Sequence, residues 1–222
     1  MSETLPLFPL GTVLFPGLLL PLHIFEDRYR QLVRDLLDRP EPRRFGVIAI
    51  RQGRETGVDG IQALHEIGCI ATLNQVNPLE DGRYDIVTIG TQRFRLASLD
   101  DAKPYLRGRV DLLAEETGDE AGAAQAVRVV RDGFRAYLSA LGERGVTQIS
   151  APELPEDPVT LSYLVAASMI TDLSDRQALL AESDAVRRLA AERTLLSREL
   201  TMLRTLTATP APDLRNSPYS SN

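Results

Sequence analysis

The sequence predicts an α+β protein, a small β-barrel carrying one helix and followed by an α-helical bundle. Three observations carry the prediction. Short apolar runs recur between Leu5 and Leu112, bounded by Gly, Pro, Asn-Pro and Asp-Gly, which is the pattern of strands joined by tight turns. One segment among them, after Phe25, switches to apolar spacings of three and four. Beyond a polar, glycine-containing stretch at Glu115 to Gly122, every later segment keeps that helical period, which marks a subdomain boundary. The expected divisions are a barrel over 1–116, a helical bundle over 117–207 and a disordered tail over 208–222.

The opening stretch, Leu5 to Leu37, holds two apolar runs punctuated by Pro6, Pro9, Pro16 and Pro21. Proline lacks a backbone donor and fixes φ, so these runs are short strands at sheet edges or turns rather than helix. Tyr29, Leu32, Val33, Leu36 and Leu37 then form the apolar face of a helix, with Glu26 and Asp27 at its positive end. Phe45 to Ile50 is a continuous apolar run and reads as a strand covered on both faces; Arg51 to Asp59 reads as a solvated loop. Leu64 to Val76 and Tyr84 to Ile89 form a hairpin around Asn77-Pro78 and Asp81-Gly82. Gly90 marks a bulge or a corner where the sheet closes. Phe94 and Leu96, then Leu106 to Leu112, alternate with charged residues as half-buried strands.

In the second half, Ala123 to Leu141 is an amphipathic helix ended by Gly142, and a loop runs from there to Glu156. Asp157 caps the next helix with Pro158 at its first position. That helix, to Ile170, is apolar nearly all round and belongs at the bundle centre. Ser174 with Gln177 forms a capping box for a short helix to Glu182. Asp184 begins the last and longest helix, with Val186, Leu189, Leu196, Leu200, Leu203 and Leu206 on one side. From Thr207 the sequence loses all periodicity.

The runs PLFPL, VLFPG and PLHIFEDRY, followed at once by a helix, resemble the N-terminal substrate-binding domain of the Lon protease family, in its stand-alone bacterial form without ATPase or protease. The resemblance continues through IGCIATL, DGRYDIVTIGTQRFRL and the helical half, over Leu5 to Leu206. It implies a PUA-like barrel and the capture of unfolded or extended polypeptide. An ATP-dependent protease acting in trans is the partner it suggests.

Composition narrows the function classes. With 43% hydrophobic and 25% charged residues the chain builds an ordinary packed core. A net charge of -6 argues against broad binding to nucleic acid or anionic membranes, which needs a positive footprint. Cys69 stands alone, so an internal disulfide and a multi-cysteine zinc site are excluded; within its apolar strand it reads as a buried, inert thiol. No apolar stretch approaches the length needed to span a bilayer, and the proline-broken N-terminus is no secretory signal, so a cytoplasmic protein is expected.

Catalytic motifs are lacking. There is no GxxxxGK[ST] loop to cradle phosphates, no GxSxG elbow, and neither His23 nor His65 has metal-ligand spacing. No cofactor or metal is therefore expected and the chain reads as non-enzymatic, with a dispersed hydrolase site as the alternative; the resemblance implies a polypeptide-binding module that serves as an adaptor in protein quality control.

Two sets of residues are candidates for binding. Phe15, Leu18, Leu19 and Leu20 exceed what a strand at a sheet edge buries, and an exposed patch there would take extended polypeptide. His23, Glu26, Arg28 and Tyr29 would line a cleft between strands and helix. The competing reading covers the apolar run with the helical half, places Phe25 and Tyr29 in the core, and gives Glu26 to the helix cap and Arg28 to a nearby carboxylate. As an alternative function, Arg93, Arg95, Arg107 and Arg109 would form one basic stripe on the barrel and hold RNA, if their strands are neighbours.

Overall fold

Side chains alternate across extended backbone, so a strand with apolar residues at every second position must turn that face inward. The first half of the chain obeys this rule around a single mixed sheet. In a computed structural model that describes residues 2–55, 61–100, 102–144 and 153–208, the strands are β1 (Ser2–Leu10), β2 (Leu19–Ile24), β3 (Arg44–Gly53), β4 (Ile61–Pro78), β5 (Tyr84–Asp100) and β6 (Arg107–Leu112). Helix α1 (Asp27–Leu37) follows β2. Helices α2 (Glu120–Gly142), α3 (Pro158–Ser168), α4 (Leu173–Ala181) and α5 (Ala185–Ala208) make up the second half.

The sheet order is β2-β5-β4-β3-β1-β6, parallel only between β1 and β3. Because the long β5 pairs β2 near its start and β6 near its end, the order β5-β4-β3-β1-β6 returns to β5. Side chains from each of these five strands fill the interior: Leu5 and Leu7 of β1, Ile48, Ile70, Phe94 and Val110. The other face of β1, β3 and β4 offers Phe8, Phe45, Val47 and Cys69 to Tyr29, Leu32, Val33 and Leu36 of α1. Burial pushes the Cys69 thiol up to about 12, the inert cysteine expected of an apolar strand.

Several expectations shift in register. The second apolar run becomes strand only at Leu19, and the segment before it tucks Val13 and Phe15 under the helices. β3 runs on to Gly53, past the expected start of a loop, and residues 56–60 lie outside the described residues. β5 passes through Gly90 without a break, although the β4–β5 register shifts beside it, between Cys69 and Ala71. A β-carbon at Gly90 would overlap the carbonyl oxygen of Phe15, whose neighbours Gly17 and Leu18 bond the Gly90 backbone. Glycine is there for close approach of two backbones.

In the second half, Asp157 accepts from the Thr160 amide at 2.8 Å and Pro158 occupies the first turn, as expected. The Ser174–Gln177 capping box does not form. The N-cap is Asp172, and Gln177 instead reaches across to donate to the Ile67 carbonyl of β4 at 2.8 Å. Part of the loop after α2, 145–152, and the tail, 209–222, lie outside the described residues. Helix α3 is buried against α2, α4 and α5, in one core with Val13, Phe15, Ala49 and Ile67 from the sheet half.

Candidate functional site

Among the described residues β2 is an edge strand, hydrogen-bonded to β5 alone. Its period of two sends Leu20, Leu22 and Ile24 toward the core and turns Leu19, Pro21 and His23 outward, with Phe25 continuing the outer row. Leu19 is 62% exposed and Phe25 53%, high for large apolar side chains. On the neighbouring β5, Ile89 stands opposite Leu19 and Val87 opposite Pro21, both half-buried. An apolar row along the free edge of a sheet is the result.

A slot opens beside it. The end of β1, from Leu7 to Leu10, pairs β3 on one side, while β6 pairs only its beginning, from Ser2 to Pro6. Between Phe8–Leu10 and Leu22–Phe25 lies a cavity of about 220 Å³, with Tyr29, Glu26 and Glu55 completing the wall. Tyr29 stacks on Phe8 at 4.1 Å, and burial pushes its hydroxyl up to about 12, so it lines the slot as a neutral ring. Arg28 lies over that ring at 4.6 Å, pairs with Glu26 at 2.9 Å and donates to the Glu55 carbonyl. Glu26 opens α1 as its N-cap residue without a side-chain capping bond, which leaves its carboxylate to Arg28.

His23 has both ring nitrogens engaged. Nδ1 lies 2.6 Å from Asp85 Oδ1 and Nε2 lies 3.2 Å from Arg83 Nη1. Arginine only donates, so Nε2 accepts and Nδ1–H donates to Asp85. The ring is thus tied at both nitrogens, to Asp85 and to Arg83. Among the described residues no cluster of His, Cys, Asp and Glu is placed to hold a metal ion. None of the described helices is long and apolar enough to cross a membrane.

The expected site is thus brought together only in part. Leu19, His23, Glu26, Arg28 and Tyr29 meet around β2 and the slot, while Leu18 and Leu20 are half-buried behind them. Phe15 does not belong to the surface: it is 1% exposed, 6.1 Å from the Tyr163 ring and under Arg176. The helical half covers it. Phe25, which the competing reading places in the core, is instead exposed, and Val87 and Ile89 join it from outside the expected set; the alternation of Leu19, Pro21, His23 and Phe25 is the signal that identifies the outer row.

The arginine stripe does not form. β5 and β6 are neighbours, but Arg93, on the face of β5 opposite interior Phe94, has no exposed surface because the helical half covers it. It pairs with Glu115 at 2.6 Å and donates to the carbonyls of Ala114 and Leu180. Arg107 is tied to Asp100 at 3.5 Å, and Arg95 faces Asp111 across the strands, so only Arg95 and Arg109 remain exposed. Two separated arginines beside carboxylates are not a phosphate-binding stripe.

Around Glu115 a further cluster is buried. Tyr163 donates its hydroxyl to Glu115 at 2.5 Å, and Arg188 lies 3.7 Å from the same carboxylate and 3.9 Å over the Tyr163 ring. Arg188 also donates to Ser162 at 2.8 Å. Burial pushes the Tyr163 hydroxyl far up, so it stays a donor. Nothing local in the sequence marks Arg188 and Glu192, four residues apart on α5, as buried.

The model of the ATP-dependent protease La (LON) substrate-binding domain matches residues 4–198. Among curated relatives, Lon protease 2 of Myxococcus xanthus is 26% identical over 206 residues, 92% of this chain and 24% of that protein. Lon protease of Escherichia coli K12 is 24% identical over 200 residues, 90% of this chain and 25% of that protein. The chain thus spans about a quarter of the length of these relatives. Among solved structures, the Lon N-terminal domain protein from Xanthomonas campestris aligns at a TM-score of 0.59 and 26% identity, covering 88% of this chain and 98% of that one. The N-terminal domain of Mycobacterium avium complex Lon protease aligns at 0.62 and 17% identity with the same coverage, a likeness of fold.

Proposed function

Because the chain belongs to the LON substrate-binding domain family, we propose that it is a non-catalytic module that captures unfolded or extended polypeptide along β2. The observation that carries this reading is the free edge of β2 with its outward row of Leu19, Pro21, His23 and Phe25. An extended segment laid along the row places alternate side chains on it, and the slot behind Phe25 takes one apolar side chain. Pro21 removes one donor from the edge, so contact by side chains outweighs a full backbone ladder and indiscriminate strand pairing is discouraged. His23 and Arg28 supply polar contacts at the rim.

In this reading the strand ring is a PUA-like barrel over 1–116, the bundle over 117–207 braces it, and the module works in the cytoplasm within protein quality control. It hands substrates to an ATP-dependent protease supplied in trans. The test is fluorescence anisotropy with a labelled, carboxymethylated and permanently unfolded protein. Saturable binding is expected, weakened about tenfold or more by Leu19→Asp combined with Phe25→Asp, a loss of about 1.4 kcal/mol. Binding that fails to saturate, or that the double variant leaves intact, overturns the proposal.

A further inference from the structure

A second surface lies on the helical half, away from any residue used so far. Along one side of α2, Arg128, Arg131 and Arg135 recur at spacings of three and four and face an open groove of about 660 Å³. Its floor is apolar, built by Ala123, Val127 and Pro158. Two carboxylates answer the three guanidinium groups: Asp132 lies 3.2 Å from Arg135, and Glu156 lies 3.6 Å from Arg131. Arg128 donates only to the neutral carbonyl of Gln125 and makes no ion pair among the described residues.

An exposed guanidinium with no ion pair, beside the apolar lining of the groove, is complementary to a ligand that brings carboxylates and small apolar side chains together. The excess is local, because the chain as a whole carries a net charge of -6. Continuous phosphate would meet Asp132 and Glu156 in the same groove, whereas discrete carboxylates can be spaced between them. We infer that this groove is a docking site for an acidic polypeptide segment in which Glu or Asp alternates with apolar residues. It is independent of the polypeptide site on β2.

The experiment titrates the full chain into a fluorescein-labelled peptide of Glu, Leu and Ala and into a matched peptide with Lys in place of Glu. Saturable binding of the acidic peptide only is expected, weakening as salt rises. Arg128→Glu with Arg135→Glu, two exposed positions, is expected to weaken it more than about tenfold. The Leu19→Asp, Phe25→Asp variant is expected to bind it unchanged, which separates failure of this inference from failure of the β2 reading. Equal binding of both peptides, or an affinity unmoved by the double reversal, overturns it. Displacement of the peptide by single-stranded RNA that the same reversal abolishes reassigns the groove to nucleic acid and overturns it as well.

Discussion

Glu192 shows how far burial can depart from residue type. Both carboxyl oxygens are buried and have no hydrogen-bond partner among the described residues, and burial holds its pKa well above the ordinary carboxylate range, with Arg188 one turn earlier opposing the shift. The charged and titratable groups of this interior are Arg188 itself and, beyond it, Arg93 of β5, Glu115 of the linker and Tyr163 of α3. A carboxyl kept protonated in the fold but ionised in the unfolded chain binds more protons when native, so stability falls as pH rises above the unfolded carboxyl's pKa. Glu192→Gln keeps the shape without the proton and is expected to raise the melting temperature at pH 8 by about 2–4 °C, on the order of 1 kcal/mol. The gain should vanish near pH 4; a lower melting temperature at both pH values would show that the carboxyl makes a contact it lacks here. Nothing in the sequence flags this group. The buried face of α5 runs through Ala185, Arg188, Leu189, Glu192 and Leu196, and an apolar pattern alone assigns only three of these inward.

At the scale of elements, helix signals were legible and strand faces less so. The Asp157-Pro158 start, the apolar face of α1 and the all-round apolar α3 follow from local chemistry, which the fold leaves in place. β2 begins later than its apolar run because Val13 and Phe15 find a partner surface on α3 and α4, which no local pattern specifies. Gln177 was misread for the same reason, its amide being taken by a carbonyl of β4 rather than by its own helix. Gly90 was singled out correctly as special, while its cause, the carbonyl of Phe15 pressed against it, is a tertiary contact. Gly90→Ala is therefore expected to cost about 2–3 kcal/mol in urea unfolding, since the obstacle is backbone and cannot swing away. A change within about 0.5 kcal/mol, typical of an ordinary surface site, would mean that the β2 entry segment moves freely.

The whole molecule is held together where the two halves meet. Phe15, Val13, Ala49 and Ile67 lie in one core with α2 to α5, and Arg93 carries four hydrogen bonds from β5 to the linker and to the end of α4. The composition shift at Glu115 reads as a boundary in the sequence, yet the same residue is the hub through which Arg93, Tyr163 and Arg188 join the strands to the helices. A boundary built this way argues for one cooperative unit, because neither half can open without stranding buried charge. Far-UV circular dichroism and tyrosine fluorescence should report coincident urea transitions for the native chain. Arg93→Met is expected to lower stability by about 3 kcal/mol, leaving carbonyls of Ala114 and Leu180 unpaired in the interior. Two separate transitions in the native chain would contradict this coupling, and the bundle could then no longer be what keeps β2 and its outward row in place for a bound polypeptide.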